Sequence, residues 1–399
     1  YVPLLYYTRY LYRIIIPMSL ELDRPYLIIP RFIEQPTWGG SYIVSYKQIQ
    51  DEELRARKIG QSYELYGGSI LSTSSSSADS QFQSDLVEYN KNGRLSSDSS
   101  YIKLQDLVDQ NSSQILGSSF PHTKMPLLIK FTQALGNSFQ IHVKKSQKQS
   151  RWKPKPESWY YLEDGIITYG IKKGADMLEF KRVCLAIEEK MIALSASLKI
   201  GALSYGRTKE KAASFIKSVN PWQFVNTHRI KKHSIVDLSP GAIQHSWEED
   251  PVSYPFGNVL YEVQLDVTDD ESTIRAFDKG KMQPDGTIRK IHVEDYFTYI
   301  NTDPEHNDLS LAMRKREGQS LLHTSHYSLD VATIQKEVVV ENPPSFIHIF
   351  VIEGELRVET PARTLSVEKG HSCFIPRAVK TFALSPTQEK TSILKTYIG

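Results

Sequence analysis

Residues 138 to 145 read SFQIHVKK, and in an extended run Gln140 and His142 leave the same face of the strand. A buried amide beside a buried imidazole costs free energy unless each finds a hydrogen-bond partner. A metal ion would satisfy both. Glu157 stands in KPESWYYL just ahead of an apolar strand, and His245 follows a Pro, Gly turn in LSPGAIQHSW. Gln140, His142, Glu157 and His245 make a nitrogen and oxygen donor set suited to Zn²⁺ or another divalent first-row ion. With no thiolate in the set, room is left for water or substrate, which points to catalysis rather than structure. Each residue taken singly also fits a plainer role, as a hydrogen-bonded core histidine or a surface carboxylate flanking Trp159.

The elements that must position these groups are set by a chain of 399 residues, enough for two or three domains. Lys and Arg (48) nearly balance Asp and Glu (46), for a net charge of +2, so nothing argues for a nucleic-acid or membrane surface. Two distant cysteines, Cys184 and Cys373, exclude a disulfide framework and a thiolate zinc site, and make a reducing cytoplasm the expected setting. Arg9 and Arg13 interrupt the apolar N-terminus before a signal or membrane segment develops, and residues 1–17 are expected to lie outside the functional fold.

Short apolar runs broken by Pro25, Pro30, Pro36, Gly39 and Gly40 read as strands and turns. The serine-rich stretch over about 70–100 reads as a mobile surface excursion. LQDLVDQNSSQILG has helical spacing, and the segment over about 176–220 is amphipathic and helical. From Phe256 onward strands dominate, and the tail from FIHIFVIEG to KTFAL is a succession of short alternating strands with turns at Gly354 and Gly370. The expected architecture is mainly β, with a catalytic barrel over 18–300 carrying the serine-rich loop and the helices, and a second barrel over 320–399.

PTWGGSYI, GQSYELYGGS, PLLIKFTQALGNSFQIHV, KPESWYYL, LSPGAIQHS, LYEVQL and STIRAFDKGKMQPDGTIRKIH occur in the order found in type I phosphomannose isomerases. The chain therefore resembles that family of zinc-dependent cupin isomerases over roughly residues 28 to 385. The resemblance implies tandem cupin barrels with a helical portion, one zinc ion per chain, and interconversion of mannose 6-phosphate and fructose 6-phosphate. By position it assigns the zinc to Gln140, His142, Glu157 and His245, the catalytic arginine to Arg275 in TIRAFD, and a pocket lysine to Lys155. The family places its last histidine three residues after its turn glycine, whereas Gly241 and His245 are four apart; either a one-residue bulge reconciles them or Gln244 takes the site. The interval from Glu262 to Arg275 is also long, with TDDES as the expected bulge.

Such an isomerisation moves a proton between C2 and C1 through an enediol, whose developing charge suits a metal and a fixed guanidinium. Glu262 or Lys155 could carry the proton, and the sequence leaves both open. Arg275 is the expected charge stabiliser; its plain alternative is a surface ion pair with Asp278. Arg275, Lys281 and Arg289 supply cations for a 6-phosphate. The second barrel, despite His323, His326, His348 and His371, repeats no such donor pattern and is expected to hold no metal. Two other readings stay open: a cupin that binds a sugar or sugar phosphate without turnover, and an iron oxygenase of the same barrel type. Oligomeric state is not legible.

Overall fold

The computed structural model describes residues 22–96, 100–118, 123–147 and 150–399, so the expectation for residues 1–17 falls outside it. Among these residues the fold is mainly β, built of four antiparallel sheets of eight, seven, five and four strands. The first barrel pairs the seven-stranded sheet, which includes Leu127–Ala134, Glu157–Tyr161 and Asn258–Leu265, with the five-stranded sheet that holds Phe139–Ile141, His245–Trp247 and Ile274–Phe277. A core of Trp159, Tyr161, Ile167, Trp247 and Leu260 fills the space between them. The second barrel pairs the eight-stranded sheet, with Ile347–Glu353 and Thr391–Tyr397, and the four-stranded sheet, with Glu355–Glu359 and Thr364–Glu368. Its turns reverse at Gly354 and Gly370, whose φ of 79° and 81° a side chain would strain.

Period-two alternation decides which barrel each side chain serves. Along Asn258–Leu265, Glu262 faces the first barrel's interior while Tyr261 faces the second barrel, its hydroxyl 2.9 Å from His348 Nδ1 and 2.7 Å from Thr396 Oγ1. The eight- and seven-stranded sheets thus pack against each other, with Phe131 edge-on to Phe350. Helices Met177–Lys199 and Tyr205–Val219 cover the outer face of the five-stranded sheet through Phe139, Phe180, Ile216 and Phe277. None of the described helices is long and apolar enough to cross a membrane.

Two segments differ from expectation. The serine-rich stretch holds strand Ile70–Ser72 and helix Ser80–Asn92, where Phe82 and Leu86, one turn apart, are buried and anchor the helix despite its polar surroundings. Strand Tyr26–Ile29 pairs with Ser372–Ile375, so N-terminal chain completes the eight-stranded sheet of the second barrel.

The barrel interface encloses an ion pair. Lys47 Nζ lies 2.8 Å from Glu64 Oε1 with both side chains fully buried, and Ser62 and Ser372 donate to the same carboxylate at 2.6 and 2.7 Å. Burial pushes the Lys47 ammonium below its usual pKa, and Glu64 opposes that shift. Lys47→Met leaves Glu64 charged and unpaired in a dry interface, so it is expected to cost about 3–5 kcal/mol in denaturant unfolding, most of it recovered by Lys47→Met with Glu64→Leu.

Candidate metal centre and active site

Strand register assembles the site. On the five-stranded sheet Gln140 sits directly opposite His245 on one neighbour and Arg275 on the other. On the facing sheet Glu157 lies opposite Gln264, and Glu262 lies between Lys130 and Trp159. Directly opposed side chains stand close enough to act together. Residues scattered from 130 to 275 in the chain therefore converge inside the first barrel.

The ligand atoms of His142, Glu157 and His245 all fall within 4.8 Å of one another, and the three residues are each 1% exposed. Glu157 Oε1 is 3.3 Å from His142 Nε2 and 3.5 Å from His245 Nε2. Each ring is turned by a carbonyl: His142 Nδ1 lies 2.9 Å from Ser272 O, and His245 Nδ1 lies 2.8 Å from Ile243 O. A carbonyl can only accept, so Nδ1 carries the proton and both Nε2 lone pairs point at Glu157. This is the outer-shell support that metal-binding histidines use. His142 Nε2 and both Glu157 oxygens are buried without a hydrogen-bond partner, an expense that a cation in their midst removes. Gln140 completes the set, with its Nε2 3.3 Å from His245 Nε2 and its Oε1 held by Ser138 Oγ at 3.1 Å.

Burial holds His142 below its usual pKa, which keeps the imidazole neutral as a ligand must be. Burial opposes the charge on Glu157, but the Lys155 ammonium beside it holds the carboxyl well below its usual range.

The four expected donors come together, and of His245 and Gln244 it is His245 whose ring faces Glu157. Gly241 and Ala242 both take positive φ, 66° and 57°, so the extra residue is absorbed in the turn and His245 reaches the pocket. Gln244 Nε2 meets Thr168 Oγ1 at 3.3 Å instead. The turn also sits against the backbone behind His142: Ala242 N donates to His142 O, and a Cβ on Gly241 would come within 2.8 Å of Val143 O.

Lys155, Arg275 and Glu262 line the same pocket. Lys155 Nζ lies 3.3 Å from Glu157 and 3.1 Å from Asp269, and Arg275 reaches Asp269 at 2.9 Å rather than Asp278. Asp278 is taken by Arg289 at 3.2 Å. Glu262 pairs with Lys130 at 2.8 Å and accepts from Thr132 at 3.2 Å. Lys281 does not join them: its ammonium is occupied by Glu249, Thr37 O and Leu135 O at 2.6, 3.2 and 3.1 Å.

Three participants were missed in the sequence. Lys130 reads as one charge in an apolar strand, though a lysine in LLIKF that is buried on both sheet faces demands a partner. Asp269 and Ser272 belong to TDDES, which forms the one-turn helix Asp269–Ser272. That helix sets Asp269, whose side chain is 59% exposed, beside Lys155 and Arg275 at the solvent side of the cluster, and sets Ser272 O behind His142.

Fold and pocket together define a two-barrel cupin with a candidate metal centre inside the first barrel. Residues 319–391 match the family model described as "Mannose-6-phosphate isomerase, cupin domain". Mannose 6-phosphate isomerase from Bacillus subtilis superposes with a TM-score of 0.63 at 14% identity, covering 94% of this chain and 100% of that one. A variant of phosphomannose isomerase from Salmonella typhimurium gives 0.64 at 14%, covering 94% and 99%. A zinc-bound mannose 6-phosphate isomerase gives 0.63 at 14%, with the same coverage. No curated protein matches by sequence. The chain has the fold of these isomerases, and residues 319–391, in its second barrel, are similar to that family's cupin domain.

Proposed function

We propose that this chain is a zinc-dependent aldose–ketose isomerase that interconverts mannose 6-phosphate and fructose 6-phosphate. The observation that carries the reading is the pair of imidazole Nε2 atoms 3.3 and 3.5 Å from the buried Glu157 carboxylate, beside a buried set of cations and a second carboxylate. His142, His245, Glu157 and Gln140 would hold a zinc ion, which would supply Lewis acidity towards the substrate oxygens on C1 and C2.

The remaining work falls to side chains of known charge. Burial opposes the charge on Lys155, but Asp269, Glu157 and Glu262 outweigh it and hold the ammonium above its usual pKa, so Lys155 stays cationic and orients oxygen. Burial pushes the Glu262 carboxyl up; Lys130 draws it back, Glu157 reinforces the rise, and the net position lies above the usual carboxylate range. That makes Glu262 the proton carrier: it takes the proton from C2 and returns it to C1. The Arg275 guanidinium, buried and with Nε unpartnered, faces the negative charge that grows on the enediolate.

The test is a coupled assay with mannose 6-phosphate on metal-loaded and chelator-treated protein. Turnover that disappears with chelator and returns with zinc is expected. Tight binding of the sugar phosphate without turnover would instead make the chain a non-catalytic cupin.

A further inference from the structure

Helix Met177–Lys199 carries an apolar stripe that none of the described residues covers. Leu178, Leu185 and Ile192 are 76%, 37% and 55% exposed and recur every seven residues, so they lie along one line of the helix surface. Its opposite side is occupied by helix Tyr205–Val219 and by the sheet beneath. Scattered exposed leucines need no explanation, but a heptad-spaced row is a seam.

We propose that this seam pairs two copies of the chain as an antiparallel, two-fold helix dimer centred on Leu185. The charges along the helix are self-complementary about that point. A two-fold at Leu185 sets Leu178 against the partner's Ile192, Lys181 against the partner's Glu189, and Arg182 against the partner's Glu188. A parallel pairing would instead place each of these charges beside its own like. Among the described residues Arg182 meets Glu179, on its own helix, at 2.5 Å, and Lys181 meets Glu294 at 2.6 Å, so Arg182 with the partner's Glu188 is the pair on which the register chiefly rests.

A second feature fits the same axis. Beside Ile192 an open groove of about 250 Å³ runs between the helix and residues 277–291, walled by Ile187, Met191, Ile288 and Ile291. The antiparallel register delivers the partner's Leu178, the most exposed residue of the row, to this groove. Both copies do so at once, as a two-fold requires. None of these residues touches the first-barrel pocket, so the pairing stands apart from the proposed chemistry.

Sedimentation velocity on the full chain, from about 1 to 100 µM to allow for a modest interface, tests it. Wild type is expected to sediment as a dimer in the upper part of that range. Leu185→Lys, which sets two ammonium groups face to face on the axis, is expected to be monomeric throughout with unchanged circular dichroism and melting. Arg182→Glu is expected to weaken association at least about tenfold, and Arg182→Glu combined with Glu188→Arg to restore it. Leu185→Cys should cross-link two chains on mild oxidation. A wild-type monomer at every concentration, or a dimer indifferent to Leu185→Lys, overturns the proposal.

Discussion

Glu157→Gln is expected to abolish metal retention and, with it, nearly all isomerase activity. The substitution keeps size and shape but removes the only negative charge between the two Nε2 atoms. Loss of an outer-shell partner alone weakens metal sites by about 10 to 100-fold, so loss of this donor should weaken retention by at least about 100-fold. Lewis acidity worth several kcal/mol then goes missing from the reaction, a fall of about 1,000-fold or more in kcat/KM. Metal content after dialysis, measured by mass spectrometry, separates this from misfolding. Lys155 keeps Asp269 as a partner, so the variant should match chelator-treated wild type in its unfolding midpoint. Wild-type zinc content in Glu157→Gln would remove Glu157 from the donor set.

Glu262→Gln tests the chemistry without touching the donors. A positioned proton carrier contributes about 100 to 10,000-fold, and kcat should fall by that factor with little change in KM, because the amide still accepts from Lys130 and Thr132 but cannot hold a proton from C2. Zinc content should stay at the wild-type level, and exchange of the C2 hydrogen with solvent deuterium should stop. The pH profile carries the same assignment. Glu262 must be ionised to accept the proton, and burial holds its pKa above the usual carboxylate range, so kcat/KM should fall with decreasing pH at a higher value than an ordinary glutamate gives. Lys130→Met removes a cation that favours the ionised form, which moves that limb to still higher pH. A limb that stays put in Lys130→Met would mean that Glu262 is not the titrating group.

Much of the site was legible because its chemistry is carried by residue types that a core otherwise avoids. A glutamine and a histidine two apart in a strand, a glutamate ahead of a buried tryptophan and a histidine after a tight turn each stood out singly, and the order of the motifs joined them. Lys155 and Arg275 were expected there from the resemblance, and Glu262 from the alternation of its strand. Lys130 was passed over because its significance lies in its cross-strand partner, Glu262, which is more than 130 residues away in the chain. Asp269 was hidden in a run of acids that composition alone reads as a solvated turn. Lys281 was grouped with Arg275 and Arg289 on sequence proximity, but the backbone turns it towards Glu249 and two carbonyls.

From the amino-acid sequence alone came the mainly β class of fold and the alternation that sends Glu262 and Tyr261 to opposite faces, which follow from the two-residue period of a strand, and the proposed donor set, which the order of the motifs joined. Tertiary structure alone decided that Gly241 and Ala242 absorb the extra residue before His245, that the N-terminal strand closes onto the last barrel, that the serine-rich stretch holds a buried-faced helix, and that Lys155 lies between Glu157 and Asp269. Each of those outcomes depends on which distant strand or charge lies alongside, and local pattern carries no information about a neighbour brought near only by folding.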